Sequence, residues 1–435
     1  MGWLAPVQTL LESPYSPIGQ TLTKEESSWL SGAMCIGGAI GTLILGSAAD
    51  RWGRKIAGAL IAIPLLISWG GILLASSFRQ LVTARLIAGL GCGGILALNP
   101  LYVSEISEPL LRGALSAYMV LFINIGILFE YSAGAILTWS QLNAVCLVIP
   151  MVFLCVIAFV PESPAWFVSK GRIPEARKSM LWLRANDEAT SDAEIDRMAS
   201  NQVKVKVGFR GLWEPGCQKA LLLSCTLLAV QQFSGVFAIL TYTVELFAES
   251  GSQLSPYLCT IIVGSLQLFG SYLACSLIDR LGRKVLLIAS LSIMGSCLCG
   301  LATIFYIKST GKDTAEIGWL PVTCLSVYIV CFALGIGPVP YVIIAEIFPI
   351  EVRSLASSIN ILWLFILAFA ITKLYVPLAS LLGIYGTYWL FSLCCALGVV
   401  FTFFFIPETK GRRVEDIIKD LRNDSKLERC ASESV

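Results

Sequence analysis

The chain has 435 residues, of which 56% are hydrophobic and only 14% are charged. A soluble protein carries about 25% charged residues, so the composition excludes an ordinary soluble domain. The net charge of +2 gives no indication of a nucleic-acid partner, and the absence of histidine removes the commonest proton relay and metal ligand. We expect no metal and no cofactor. No nucleophile–base set is recognisable, so an enzyme is the least expected class.

Apolar segments follow one another along the chain, and a helix that crosses a bilayer needs about 20 mostly apolar residues. We predict eleven full spans, at 28–49, 56–77, 80–104, 113–137, 142–160, 217–248, 255–279, 284–307, 318–345, 354–376 and 386–406. Residues 3–11 are also apolar, but at about 1.5 Å per residue they cover only about half a bilayer. The predicted fold class is an all-α polytopic membrane protein, and we expect the chain as given to lack most of its first span.

Basic residues predict the orientation of these spans. Most of the 31 Lys and Arg residues fall on one side of the predicted membrane, including those of a long polar connection at 161–216 and of the tail at 407–435. The positive-inside rule makes this side cytoplasmic. We expect the plasma membrane as the location. The connection separates an N-terminal bundle, 1–160, from a C-terminal bundle, 217–406.

The two halves repeat three motifs in the same order. Asp50-Arg-Trp-Gly-Arg-Lys55 recurs as Asp279-Arg-Leu-Gly-Arg-Lys284, Glu105 with Arg112 recurs as Glu346 with Arg353, and Pro161-Glu162 recurs as Pro407-Glu408. Parallel repeats of this kind build transporters in which the substrate site lies between two bundles near the membrane midplane. The repeat therefore predicts two six-helix bundles, the first with an incomplete first helix.

Each DRxGRK run lies in a short connection, where Gly53 and Gly282 allow a tight turn. We expect the arginines to pair with carboxylates on the facing bundle, and only when the cytoplasmic side is closed. The alternative is that a basic loop merely sets the topology. The predicted gating charge network consists of Asp50, Arg51, Arg54, Glu105, Arg112, Glu162, Asp279, Arg280, Arg283, Glu346, Arg353 and Glu408.

The motifs, taken together, resemble the sugar porters of the major facilitator superfamily over nearly the whole chain. They are Gly46-Ser-Ala-Ala-Asp50, Arg85-Leu-Ile-Ala-Gly89, Pro100-Leu-Tyr102-Val-Ser-Glu105, Gln231-Gln232-Phe-Ser-Gly235, Gly335-Ile-Gly-Pro-Val-Pro340 and Pro407-Glu-Thr-Lys-Gly411. Gly126-Ile-Leu-Phe and Ala345-Glu-Ile-Phe-Pro349 are similar to the facilitated trehalose and facilitative glucose transporters of that family. The resemblance implies reversible, alternating-access carriage of a sugar by a monomer in a lipid bilayer.

Polar side chains within the spans indicate the substrate site. Gln231 and Gln232 each offer one acceptor and two donors, as sugar hydroxyls require, although interhelical hydrogen bonding is the alternative. Gln267 lies where the family has a sugar-binding amide, with the same alternative. By resemblance, Tyr341 takes the place of a tryptophan against the sugar ring, and Tyr242 that of an extracellular gate aromatic. Prolines 338 and 340 should break the tenth span, counted from the incomplete first.

Some positions depart from the family pattern. Val120, Phe237 and Leu364-Phe365 stand where the resemblance leads us to expect Gln, Asn and Asn-Trp. A hydroxyl buried without a partner costs about 1–3 kcal/mol, so the losses should weaken sugar binding unless Asn124 substitutes. A transport-incompetent receptor or regulator therefore remains an alternative function.

Two charges lie near the extracellular ends of spans. For Glu130 and Lys373, interfacial snorkelling is one interpretation, and a proton-coupling site at Glu130 is the other. Since there is no histidine and no deeper carboxylate, we favour uncoupled transport over a proton-coupled symporter.

Overall fold

The computed structural model describes residues 2–108, 112–202, 209–250, 255–311, 319–412, 414 and 416–421. The helices in these ranges are α1 Leu4–Leu11, α2 Lys24–Trp52, α3 Arg54–Leu73, α4 Phe78–Ile106, α5 Arg112–Ile136, α6 Trp139–Phe159, α7 Pro164–Ser169, α8 Ile173–Leu183, α9 Glu188–Gln202, α10 Phe209–Leu212, α11 Pro215–Phe233, α12 Val236–Ser250, α13 Pro256–Leu281, α14 Arg283–Ser309, α15 Leu320–Leu334, α16 Val339–Ile347 and α17 Ile350–Phe405. Below, helices α1–α6 are the N-half and α11–α17 are the C-half.

Ten helical stretches in the described part of the chain are long and apolar enough to cross a membrane. The last, Val352–Phe405, runs for 54 residues and contains two predicted spans, 354–376 and 386–406. The two spans follow each other without a loop, and Gly383, at φ 72°, is the non-helical residue at the kink between them. All eleven predicted spans are therefore present with ends shifted by a few residues, and the predicted fold class is confirmed.

Two predicted spans are each broken near mid-length. The break between α15 and α16 falls at residues 335–338, where the prolines were expected to interrupt the helix because they lack an N–H donor. The break between α11 and α12 falls at Ser234 and Gly235, inside the predicted span 217–248. Gly235 has φ 84°, a conformation that a continuing helix does not contain. This second break was not predicted.

Helices α2 and α4 pack backbone against backbone. A Cβ atom placed on Gly37 or Gly41 of α2 would overlap a carbonyl oxygen of α4. One placed on Gly89 or Gly93 of α4 would overlap a carbonyl oxygen of α2. Small residues at such spacing allow helices in a membrane to approach closely, since van der Waals packing replaces the hydrophobic drive. This pair forms the centre of the N-half, and α3 packs on α4 and on α6.

The apolar segment predicted at 3–11 forms the short helix α1. It lies at the end of the N-half away from Gly53, in an apolar cluster with Leu30, Ile72 and Leu142. Trp3 donates its indole N–H to Asn143 Oδ1 at 2.8 Å, and its ring lies 5.6 Å from the ring of Trp139. Helix α1 is thus packed against α2, α3 and α6 in this cluster, and against α5 and α12 on another side.

The two halves meet where α2 packs on α17 and α5 packs on α13. We call the end of the molecule that carries Gly53 and Gly282 the basic end, and the other the opposite end. Lys373 Nζ of α17 donates to Ser28 Oγ of α2 at 2.9 Å and lies 4.2 Å from the ring centroid of Trp29. These residues lie near the opposite end. The short helices α7–α9 lie at the basic end, where Trp166 Nε1 donates to Asp50 O at 3.1 Å.

Candidate substrate site and charge clusters

Arg54, the first residue of α3, forms a forked ion pair with Glu105 near the end of α4. Its Nε and terminal nitrogen donate to the two carboxylate oxygens at 2.9 and 2.8 Å. The side chains are only 9% and 13% exposed. The second terminal nitrogen donates to Ala49 O at 2.7 Å and lies 3.3 Å from the exposed carboxylate of Asp50. Bidentate, poorly hydrated pairs of this geometry are the strong ones.

Glu162 caps the same helix. Its carboxylate accepts the backbone N–H of Arg54 at 2.7 Å and that of Lys55 at 3.1 Å, so an anion occupies the positive end of α3. Gly53, which precedes the helix, has φ 105°, and a Cβ atom there would overlap the Glu162 carboxylate. The turn therefore needs glycine for its conformation and for the approach of the capping acid.

The C-half repeats this arrangement. Arg283 donates to Glu346 Oε1 at 2.8 Å, and Glu408 accepts the backbone N–H groups of Arg283 and Lys284 at 3.0 and 3.1 Å. Gly282 has φ 90°. Partial burial opposes ionisation of Glu408, but these backbone donors outweigh it and lower the pKa of that carboxyl below its ordinary value. The sequence repeat is thus also a repeat of individual contacts.

The expectation that these ion pairs join facing bundles is wrong for Arg54–Glu105 and Arg283–Glu346, whereas their dependence on closure of the cytoplasmic side stays a prediction. Each pair lies within one half, because the carboxylate is on a helix packed beside the arginine's own helix. Arg353 donates to the nearby Phe348 O at 3.1 Å, also within one half. Two further arginines of the predicted network, Arg51 and Arg280, are exposed. The side chains of Arg112 and Asp279 lie outside the described residues.

The predicted substrate amides are buried, at 3% exposure for Gln231, 1% for Gln232 and 3% for Gln267. From the helix ends at the basic end, a rise of about 1.5 Å per residue places Gln232 about 25 Å deep and Gln267 about 21 Å deep. Asn124 on α5 lies about 18 Å deep by the same measure. The amides therefore share a depth near the middle of the bundle.

The Gln231 side chain is hydrogen-bonded to the backbone at the break between α15 and α16. Its Nε2 donates to the carbonyl oxygens of Ile336 and Gly337 at 2.8 and 3.0 Å. Backbone groups that a helix break releases at membrane depth need such partners. Its Oε1 is buried and has no hydrogen-bond partner in the described part of the chain.

The Gln267 side chain is hydrogen-bonded to a residue of the N-half. Its Nε2 donates to Asn124 Oδ1 at 2.9 Å, and Asn124 Nδ2 donates to Ser271 Oγ. The predicted substitute for the missing polar group at Val120 therefore lies beside a predicted sugar-binding amide. The Oε1 atoms of Gln267 and Gln232 are, like that of Gln231, buried without a partner among the described residues.

The two predicted aromatic residues differ in their surroundings. Tyr242 is buried, lies at a non-helical point of α12 and stacks on Tyr375 of α17 with ring centroids 4.8 Å apart. This contact is within the C-half. Tyr341 is the third residue of α16, directly after the break that Gln231 holds, and is 37% exposed. Tyr341 is thus close in sequence to the carbonyl groups that Gln231 binds, whereas Tyr242 stacks on Tyr375 elsewhere in the C-half.

Two of the departures from the family pattern are packed together. Phe237 and Phe365 belong to one apolar cluster, in which residues of α12 and α17 meet Cys35 of α2 and Leu96 of α4. A Cβ atom on Gly38 of α2 would overlap the Phe365 ring. Leu364 is buried in the core of the C-half. Sequence reasoning missed this cluster, and the signal for it was a glycine facing an aromatic residue across the two halves.

The two remaining charges also differ. Lys373 contacts Ser28 and Trp29 of the other half, so it links the halves instead of only reaching toward lipid headgroups. Glu130 Oε1 accepts a weak hydrogen bond from Cys146 Sγ at 3.5 Å, and its Oε2 has no partner among the described residues. A coupling role for Glu130 stays a prediction.

Similarity to known proteins agrees with this architecture. The family described as "Sugar (and other) transporter" matches residues 2–421. The facilitated trehalose transporter Tret1 of Drosophila mojavensis is 36% identical over 406 residues, 91% of this chain and 46% of that protein. Tret1 of Bombyx mori is 35% identical over 421 residues, 94% of this chain and 82% of that protein. The chain spans about half the length of the Drosophila mojavensis relative it matches.

Solved structures with the same fold include the xylose transporter XylE from E. coli. Its inward-open form gives a TM-score of 0.76 at 24% identity and covers 96% of this chain and 93% of that chain. XylE bound to 6-bromo-6-deoxy-D-glucose gives a TM-score of 0.75 with the same identity and coverage. These likenesses establish the fold. With the duplicated charge clusters and the family match over residues 2–421, the chain belongs to the sugar (and other) transporter family and is an integral membrane protein of the major facilitator fold.

Proposed function

We propose that this chain is a facilitative transmembrane carrier of a sugar, either a hexose or a trehalose-like disaccharide. The observation that carries the proposal is the alignment of 91% of the chain with proteins named facilitated trehalose transporters. The buried amide groups of Gln231, Gln232 and Gln267 near the middle of the bundle support it. Sugar hydroxyls can exchange hydrogen bonds with such amides.

The proposed mechanism is alternating access by rocking of two bundles, with residues 1–160 and 217–406 as the moving bodies. The ion pairs of Arg54 and Arg283 support this division, because each holds helix ends together inside one half. Sugar would bind between the halves, in reach of Asn124 from one side and Gln267 from the other. Transport would need a monomer, a bilayer and no cofactor.

We further propose that the protein lies in the plasma membrane with its basic end, its 161–216 connection and its 407–435 tail in the cytoplasm. The excess of Lys and Arg on that side supports the orientation. The Asn423-Asp-Ser425 sequon lies outside the described residues and should stay unglycosylated. A glycosidase-sensitive mass shift that disappears in Asn423→Gln would reverse the assigned orientation.

Flux into proteoliposomes tests the function. Purified protein should admit labelled trehalose or glucose with saturation, up to equal concentrations on both sides, without a proton gradient. Gln232→Leu should abolish this flux, and Gln20→Leu, which changes an exposed glutamine, should not. Accumulation above equilibrium that requires a proton gradient would indicate a symporter instead.

A second candidate, a receptor or regulator that binds solute without carrying it, is favoured by the apolar cluster around Phe237 and Phe365. This cluster fills positions where polar side chains were expected. Binding of a sugar by the purified protein, with no flux into proteoliposomes, would support this candidate over the carrier.

A further inference from the structure

A cavity of about 320 Å³ lies at the basic end of the C-half, between the start of α14, the end of α17 and the tail. Its charged lining consists of Lys284, Arg412 and Asp420. Ile417 and Leu421 of the tail also line it, and both are buried in the core of the C-half. The volume lies within the range of about 300–1,000 Å³ that small-ligand sites occupy. The packed tail therefore forms one wall of a cavity large enough for a ligand.

The end of α17 places this cavity at the boundary of the membrane. Phe404 and Phe405, in the last turn of that spanning helix, line the cavity and are 71% and 57% exposed. Apolar side chains that are exposed on a spanning helix face the hydrocarbon of the bilayer. A molecule in the cavity can therefore contact charged groups at the membrane surface and acyl chains at the same time.

The lysine in the cavity is used differently from its counterpart in the repeat. Lys55 follows Arg54 as Lys284 follows Arg283, and Lys55 Nζ donates to Ala158 O at the end of α6 at 2.7 Å. Lys284 Nζ makes no such hydrogen bond with the described residues, and it lies 5.7 Å from the ring centroid of Phe403. The ammonium group of Lys284 thus keeps its donors for a ligand, whereas that of Lys55 caps a helix.

The second cation of the cavity is held by an exposed ion pair. Arg412 donates to Asp420, and both side chains are exposed. Exposed pairs contribute little, so a phosphate can take the place of this carboxylate, since a guanidinium group binds phosphate through two parallel hydrogen bonds. Glu408, at the same end, already accepts backbone N–H groups of α14. Two cations and one carboxylate give the lining one positive charge in excess, which matches the single negative charge of a phosphodiester.

We propose that this cavity binds the headgroup of an anionic phospholipid, with the phosphate between Lys284 and Arg412 and the acyl chains along Phe404 and Phe405. A lipid fits better than a soluble phosphate because the exposed phenyl rings would have no role toward a soluble anion. Anionic lipids are concentrated in the cytoplasmic leaflet, to which the proposed orientation assigns the basic end. The site is independent of the solute that the protein carries.

Titration of the purified full chain in detergent micelles, with bound lipid counted by native mass spectrometry, tests the proposal. The probes are phosphatidylglycerol and phosphatidylcholine with identical acyl chains. We expect one phosphatidylglycerol to bind more tightly than phosphatidylcholine. Lys284→Gln and Arg412→Gln should each weaken its binding about fivefold. Lys55→Gln is the matched control, because it removes the same charge from the other half and should leave binding unchanged.

A variant that should gain affinity excludes misfolding as the cause of a loss. Asp420→Asn removes the carboxylate that competes with the phosphate for Arg412 and should strengthen phosphatidylglycerol binding about fivefold. An unchanged or weaker affinity in Asp420→Asn overturns the proposal. Equal binding of the two lipids by the wild type, or an equal loss in Lys55→Gln and Lys284→Gln, also overturns it.

Hydrogen exchange distinguishes a lipid from a soluble anion. Phosphatidylglycerol should slow exchange in segment 416–421 of the wild type and not of Lys284→Gln, whereas glycerol phosphate without acyl chains should leave it unchanged. Equal protection by glycerol phosphate would assign the cavity to a soluble phosphate and overturn the lipid. Sugar flux is not a readout of these experiments, so a failure of the proposed transport function leaves their outcome unaffected.

Discussion

The charge clusters at the basic end and the seam between the halves at the opposite end are built differently. The Arg54–Glu105 pair of one half recurs as Arg283–Glu346 in the other, at the same 2.8 Å distance. The contact of Lys373 with Ser28 joins two unlike surfaces instead. Contacts inside each half are duplicated with the fold, whereas the Lys373 contact belongs to the interface where α2 packs on α17. We therefore expect changes in the clusters to affect stability and changes in the seam to affect conformation.

The largest effect should come from breaking a buried pair. Arg54→Ala leaves the poorly exposed Glu105 carboxylate without its partner, which costs about 3–5 kcal/mol of unfolding free energy. Thermal unfolding in detergent, together with the yield of folded protein, measures it. Arg51→Ala removes an exposed arginine three residues earlier and should stay within about 0.5 kcal/mol of the wild type. Equal unfolding temperatures for the two variants would contradict the structural role of the pair.

A somewhat smaller effect is expected at the turn before α3. Gly53→Ala forces a side chain into a left-handed conformation and against the Glu162 carboxylate, at a cost of about 3 kcal/mol. Gly171, with φ 73°, has no neighbour within 4 Å of a Cβ position, so Gly171→Ala should cost only about 1–2 kcal/mol. Unfolding midpoints of both variants check the difference. A Gly53→Ala protein as stable as Gly171→Ala would show that Glu162 does not cap the helix closely.

A change in the contact between the halves should alter the conformation of the protein more than its stability. Lys373→Met removes an ammonium group from the face of Trp29, a contact worth about 1 kcal/mol, and should raise the population open at the opposite end about fivefold. Hydrogen exchange of segments 24–38 and 365–376 should become faster. Lys170→Met is the control, since its ammonium lies 5.7 Å from the ring of Trp166 outside the seam. Unchanged exchange in Lys373→Met would mean that the contact does not hold the halves together.

The smallest effect concerns pH. The pKa of Glu408 is lowered from its ordinary value of 4.5, so the ionised carboxylate stabilises the folded state above that pH. The contribution is lost as the pH falls below 4.5 through the folded-state pKa. Wild type should therefore unfold at a higher temperature than Glu408→Gln at pH 7, and the two should converge toward pH 3. Glu175→Gln, in an exposed ion pair, should match the wild type throughout. A difference for Glu408→Gln that persists unchanged at pH 3 would contradict the cap.

The sequence predicted those features that depend only on residues close together in the chain. Apolar runs located the spans, and Pro338 and Pro340 located one of the two helix breaks because a missing N–H acts wherever it stands. The break at Gly235 was not predicted, because a single glycine in a span is compatible with a continuous helix. Gly235 takes a conformation that depends on packing, against the ring of Phe391.

Pairing across the chain was harder to predict. The repeat identified Arg54 and Glu105 as charged at helix ends, but a repeat looks the same whether its charges pair within a half or between halves. Gln267 and Asn124 are 143 positions apart, so no spacing in the sequence indicates their hydrogen bond. The contact of Asn124 with Ser271 likewise exists only because α13 and α5 lie side by side.

Helix α2 carries glycines on two faces, and the two faces have different mechanical properties. Toward α4, Gly37 and Gly41 lie against main chain, which cannot move aside without unwinding a helix. Toward α17, Gly32 and Gly38 lie against the rings of Phe369 and Phe365, which can rotate about their side-chain bonds. A displacement of the N-half must therefore carry α2 and α4 as one rigid body. Separation from the C-half at this contact requires only that two phenyl rings leave the shallow grooves that the glycines provide.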